Sequence, residues 1–169
     1  VSLFFAPPRR SLAWVTVVIA GMLAFGLHLQ YNVGLTPCPM CIVQRYLYIL
    51  VLLLALAGWA GKGCRWHAAT YALILPTALA GAFVAARQSW LQWYPPEFYS
   101  CGRDFYGMIE QMPLSQALPK IFAGSGDCTA VDWTFLGGTI ANWSFVGFMA
   151  LIVVSIGWLL RMRRQCAAK

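Results

Sequence analysis

At 169 residues the chain has room for one domain, yet 60% of it is hydrophobic and only 10% is charged. A soluble domain carries about a quarter charged residues, so the composition excludes an ordinary water-soluble globule and points to lipid. The formal net charge of +7 does not mark a nucleic-acid partner, because the basic residues lie in short segments flanking apolar runs.

In chain order, Arg9 and Arg10 precede a first apolar run at about 11–30. It is longer than the apolar region of a secretory signal peptide and no small-residue cleavage site clearly follows, so it is expected to be a retained first helix. A short loop at about 31–39, with Gly34, Pro37 and Pro39, leads to a second run at 40–60. The tight connection 61–67 makes the second and third spans antiparallel neighbours. The third, 68–86, contains Pro76, which is expected to kink it. A long loop at 87–142 precedes the fourth run at 143–160. Each run approaches the roughly 20 apolar residues needed to cross a bilayer. The expectation is one membrane domain over 1–169: an all-α membrane protein built as a four-transmembrane-helix bundle.

Charge placement orients it. With alternating spans, Arg9, Arg10, Lys62, Arg65, Arg161, Arg163, Arg164 and Lys169 share one side. Glu97, Asp104, Glu110, Asp127 and Asp132 all fall in the long loop on the other. Lys and Arg in short loops mark the cytoplasmic face, so both termini are expected there. Cys38, Cys41, Cys101 and Cys128 then lie outside, where disulfides persist. Cys64 and Cys166 lie on the cytoplasmic side, where thiols stay reduced, and are read as bystanders.

The long loop is unusually aromatic. Phe105, Met108, Ile109 and Met112 recur at i, i+3, i+4 and i+7, and Leu114, Leu118, Ile121 and Phe122 follow a similar spacing. Such a segment suits a short helix lying in the membrane interface; the alternative is a loop packed on a small core of its own.

Cys38-Pro39-Met40-Cys41 stands at the outer mouth of the second span, after Thr36 and Pro37, which suit a helix start. In a first helical turn, residues i and i+3 lie about 5–6 Å apart, within disulfide range. The positive helix end favours a thiolate there, which both attacks and leaves well in thiol exchange. An inert disulfide and a zinc site recruiting Cys101 and Cys128 are the alternatives, although zinc sites usually bring two close-spaced pairs.

Arg45 lies one turn below Cys41 on the same face. A charge inside a span is costly and signals function, unless it snorkels to the interface. There it suits holding a thiolate or polarising a carbonyl oxygen. Cys101 and Cys128 bracket the interfacial segment; a bridge between them would staple the loop, contributing about 3–4 kcal/mol in the loop-entropy model, or serve as a mobile exchanging disulfide. No GxGxxG, no CxxCH and no paired His on the spans encodes a bound redox cofactor, and His28 is solitary. A lipid-soluble two-electron acceptor beside Arg45 is the economical electron sink. The rival from another class is a structural or adaptor four-span protein with static disulfides, which has no use for Arg45 below the cysteine pair.

These residues resemble the DsbB family of bacterial inner-membrane disulfide-generating proteins over nearly the whole chain. The motifs are Cys38-x-x-Cys41-x-x-x-Arg45, Leu91-Gln92-x-Tyr94-Pro95, Cys101, Ser125-Gly126-Asp127-Cys128 and Trp133-x-Phe135-Leu136-Gly137. Having the close-spaced pair first distinguishes it from vitamin K epoxide reductase-like proteins, where the order is reversed. The resemblance implies an inner-membrane thiol:quinone oxidoreductase whose long loop is periplasmic. A reduced DsbA-like thioredoxin-fold partner would attack the Cys101–Cys128 bridge at Cys101, and Cys128 would resolve onto Cys38. Cys41 would then face ubiquinone, with menaquinone the alternative, near Arg45. Two positions depart from the family pattern in the quinone region: Gln88 where many members carry His, and Gln44 where an acidic residue is frequent. Both are expected beside the quinone, and no metal is expected.

Overall fold

A computed structural model of the chain describes residues 7–95, 126–129, 131 and 133–167. Helices α1 (Pro8–Asn32), α2 (Pro39–Ala60) and α3 (Cys64–Trp93) are followed by a single helical turn, α4 (Gly126–Thr129). A two-stranded hairpin, β1 (Thr134–Phe135) and β2 (Gly138–Thr139), then leads into α5 (Ile140–Ala167). Four of these helices, α1, α2, α3 and α5, are long and apolar enough to cross a membrane. The expected interfacial helix, at 105–122, lies outside the described residues.

Local chemistry sets the ends of the helices. Pro8 opens α1 at a position whose N–H has no helical partner. Gly61 stops α2, and Gly63, with φ of 102°, turns the chain into α3. The last carbonyls of α2 are taken by side chains: Trp66 Nε1 donates to Ala57 O at 3.1 Å and Arg9 Nε to Trp59 O at 3.1 Å. Pro76 is accommodated inside one continuous α3. That helix reaches past both expected limits, so residues 87–93 are helical rather than loop. The cause is a buried stripe, Val84, Gln88 and Leu91 at i, i+4 and i+7, which packs against Cys38 and Met40.

The hairpin was not foreseen. Leu136 and Gly137 both take positive φ, 51° and 78°, as a two-residue type I′ turn requires. Thr139 then caps α5, its Oγ1 accepting from Asn142 N at 3.3 Å and donating to Gln92 Oε1 on α3 at 2.7 Å.

In the bundle α1 packs on α2, α2 on α3 and α3 on α5. Small residues allow close approach. A Cβ on Gly58 would meet Thr70 Cγ2 at 2.6 Å, and one on Gly81 would enter the Phe148 ring. At the base, where α1 begins and α5 ends, Trp158 Nε1 donates to Ser11 Oγ at 3.0 Å, with both side chains buried. The outward faces carry Val17, Val18, Leu50, Leu53, Leu73, Phe83, Val153 and Leu160, all exposed. In water that would be an aggregation surface; against lipid it is the expected contact face. Trp59 and Trp66 stand at the base, and Trp90, Trp93, Tyr94 and Trp143 at the opposite mouth, as in interfacial aromatic belts.

Cys64 and Cys166, read from sequence as reduced bystanders, are joined in a disulfide with Cα atoms 5.9 Å apart. The correction has a simple cause. Antiparallel α3 and α5 bring the first residue of one beside the last turn of the other, across 102 residues of sequence.

Candidate active site

Cys38 is itself the N-cap of α2, the role that Thr36 and Pro37 were expected to prepare. Its extended backbone (φ −69°, ψ 161°) precedes Pro39 at the first helical position, and its sulfur accepts from the Cys41 backbone N–H at 3.3 Å. The cap and the third helical residue are natural hydrogen-bond partners, so the CxxC spacing brings both sulfurs to one point. They stand 2.9 Å apart, Cys38 donating. Tetrahedral zinc, with Zn–S near 2.3 Å, would hold two sulfurs about 3.8 Å apart. Among the described residues no group of three or more metal-ligating side chains is arranged to hold an ion.

Cys128, on α4, is buried against Cys38, Met40, Val84 and Leu91. Its sulfur is the foremost cause that pushes the Cys38 thiol above the ordinary range, followed by Cys41 and by burial. Cys101, the expected partner of Cys128, lies outside the described residues.

Gln88 and Gln44, both buried, form a short polar chain inside this apolar setting. Gln44 Nε2 donates to Gln88 Oε1 at 2.7 Å, and Gln88 Nε2 donates to Cys41 Sγ at 3.1 Å and Cys38 Sγ at 3.3 Å. An amide N–H aimed at sulfur stabilises negative charge that develops there during exchange. Gln88 therefore touches the sulfurs directly, a contact that sequence reading did not foresee. The available signal was the i, i+4 spacing of Val84 and Gln88 on an extended α3.

The sulfurs open onto a cleft of about 640 Å³ between α1 and α5, lined also by Gln44, Arg45 and Gln88. Arg45 Nη1 donates to Gln30 Oε1 on α1 at 2.7 Å, which holds the guanidinium at the cleft wall. Tyr48 makes the floor. Its hydroxyl donates to Ser144 O at 2.9 Å, and its ring stacks on Phe148 with centroids 4.0 Å apart. Over the mouth, an aromatic series runs from Phe25 on α1 through Trp133 and Phe135 to Trp143 on α5, with centroids 5.6, 6.1 and 6.1 Å apart. Trp143 Nε1 fastens this roof by donating to Phe135 O at 3.0 Å. His28, at the mouth end of α1, accepts from Asn32 Nδ2 at 2.8 Å and does not line the cleft.

A cysteine pair at a helix cap, opening onto an apolar cleft with one arginine, is a site for thiol redox chemistry. Comparison with known proteins agrees. A family model described as Disulfide bond formation protein DsbB matches residues 8–158. The chain is 58% identical over 159 residues to "Disulfide bond formation protein B" of Paracidovorax citrulli (strain AAC00-1), covering 94% of this chain and 91% of that protein. Over 154 residues it is 60% identical to the protein of the same name from Acidovorax sp. (strain JS42), covering 91% and 88%. A third, from Polaromonas sp. (strain JS666 / ATCC BAA-500), is 56% identical over 162 residues, with 96% of each chain covered. With a family model spanning all but the ends of the chain, and relatives more than half identical, the chain belongs to the DsbB family of disulfide bond formation proteins.

Proposed function

We propose that this disulfide-generating membrane protein is a thiol:quinone oxidoreductase that reoxidises a DsbA-like periplasmic thiol carrier. It sits in the bacterial inner membrane with both termini cytoplasmic, as the basic residues at the base favour. The observation that carries the reading is that Cys38 and Cys41 line an apolar cleft that also holds Arg45, while Cys128 is buried against Cys38.

The cleft fits a quinone in its chemistry. Its walls are largely aliphatic and aromatic, it lies between helices in the bilayer zone, and its polar groups, Arg45, Gln44 and Gln88, gather beside the sulfurs. A bound ubiquinone or menaquinone supplies a two-electron acceptor that takes up two protons. The remaining steps belong to the chain. A carrier thiolate attacks Cys101 of a Cys101–Cys128 bridge, forming a mixed disulfide and releasing Cys128 as thiolate. Cys128 attacks the Cys38 sulfur of a Cys38–Cys41 disulfide, and the electron pair leaves on Cys41. The second carrier thiol resolves the mixed disulfide at Cys101 and leaves as oxidised carrier. Freed Cys101 reforms the bridge with Cys128 and returns Cys38 as a thiol. Cys38 and Cys41 then give up two electrons to the acceptor and close again as a disulfide; Gln88 would steady the charge on Cys41 and Arg45 would orient the acceptor carbonyl.

The test is quinone reduction by purified protein in detergent, fed with reduced DsbA-like carrier. Turnover in wild type, lost in Cys41→Ser and Cys101→Ser, is expected. Direct reduction by a small dithiol should survive in Cys101→Ser alone, separating the two pairs. No turnover with either quinone, in protein whose cysteines are correctly paired, overturns the reading.

A further inference from the structure

The Cys64–Cys166 pair takes no part in that relay, since it lies at the base, the opposite end of the bundle from Cys38 and Cys41. We propose that it is a second redox site, exchanging with a small anionic disulfide of the glutathione disulfide class on the membrane face opposite the active site.

Three observations carry this. The Cα separation of 5.9 Å lies within the disulfide window, so the two helices hold the pair at bridging distance. Both cysteines are only half-buried, unlike Cys38. Packed on one side against the apolar core, the pair is flanked in sequence by exposed Lys62, Arg65, Arg163 and Arg164, while every acidic residue of the chain lies between 97 and 132. An anionic thiol reagent is drawn to such a face.

The two sulfurs are not equivalent. Cys64 is the first residue of the 30-residue α3, where the helix end stabilises developing negative charge. Cys166 stands in the last turn of α5, at the opposite pole. Cys64 therefore attacks the external disulfide, forming a mixed disulfide and releasing one small thiolate. Cys166 then gives up its proton and attacks the Cys64 sulfur, expelling the second. Two protein thiols lose two electrons and the small disulfide becomes two thiols. Only the identity of the compartment rests on the proposed orientation; the exchange itself does not.

The test uses purified wild-type protein equilibrated across ratios of reduced to oxidised glutathione, quenched by acid, alkylated and mapped by mass spectrometry. The Cys64–Cys166 cross-linked peptide should titrate reversibly, both thiols appearing together. Cys166→Ser should accumulate a glutathione adduct on Cys64, and Cys64→Ser should accumulate at least tenfold less on Cys166. A cross-link that persists at the most reducing ratio, or never forms, overturns the proposal, as does equal or reversed adduct formation in the two variants. None of these readouts depends on quinone turnover.

Discussion

Gln88 donates through Nε2 to Cys41 Sγ at 3.1 Å, across 47 residues of sequence, while its own Oε1 is held by Gln44. The amide is thus oriented from behind and presents a fixed donor to the sulfur that receives the electron pair in the proposed relay. A hydrogen bond to a charged group contributes about 1.5–3 kcal/mol, and each 1.4 kcal/mol or so is a factor of ten in rate. Gln88→Leu is expected to slow single-turnover quinone reduction about 10- to 100-fold, with thiol attack at Cys101 unchanged. Gln88→Glu, which keeps the bond to Gln44 but replaces the donor with an acceptor, should be at least as slow. Rates within twofold of wild type in both variants would remove Gln88 from the site.

Cys38 is expected to titrate late. Cys128, Cys41 and burial all favour its protonated form, and a raised pKa means less thiolate at any given pH. In the reduced protein, alkylation at Cys38 should keep climbing beyond the ordinary thiol range near pH 8.5 without reaching a plateau. Restricted reagent access by itself, with no shift of the thiol, would slow alkylation at every pH but leave the profile in its usual place.

In the proposed relay Arg45 serves the acceptor rather than the incoming thiol, since it lies on the cleft wall tied to Gln30. Arg45→Gln is expected to raise the KM for quinone at least tenfold while leaving formation of the carrier mixed disulfide intact. Arg45→Lys should recover only part of this, since an ammonium lacks the planar fork that can bond Gln30 and a ligand together. Equal losses in both half-reactions would contradict the assignment.

Two glycines separate the cleft from the scaffold. A Cβ at Gly147 would lie 2.6 Å from the Tyr48 hydroxyl, at the cleft floor, whereas one at Gly58 would press on Thr70 near the base. Overpacking costs about 1–3 kcal/mol, so both alanine variants should melt earlier. Only Gly147→Ala should also change quinone KM, which steady-state kinetics at several quinone concentrations will reveal.

The base is held by Trp158 and Ser11, whose hydrogen bond is fully buried. Ser11→Ala leaves the indole N–H unpaired and is expected to cost about 1–3 kcal/mol. Trp158→Phe in the Ser11→Ala background should lose less than the sum of the single variants. Thermal unfolding in detergent, followed through tryptophan fluorescence and circular dichroism, gives the cycle.

Span number, the cysteine pair at the mouth of the second span and Arg45 one turn below it were all legible in the amino-acid order. They rest on signals local to the chain: apolar length against bilayer thickness, and i, i+3 and i+4 spacing on one helix. The reach of α3 to Trp93 was missed, because Arg87, Gln88, Ser89 and Gln92 look like solvated loop until Cys38 and Met40 bury Gln88 and Leu91. Gln44 and Gln88 stood out only as residues near a cofactor, whereas their bonds to each other and to sulfur depend on the α2–α3 packing register.

The sequence by itself determined that the chain is a four-span membrane protein with a redox-suited cysteine pair at one end, since hydropathy and helical periodicity are properties of neighbouring residues. Tertiary structure alone decided that Cys64 meets Cys166, that Ser11 meets Trp158 across 147 residues, and that Trp133 and Phe135 of the β1–β2 segment roof a cleft between α1 and α5. Helices so apolar carry little pattern to say which faces meet. Which faces meet is decided by side-chain shape: where a glycine admits a ring, and where a buried polar group finds its one partner.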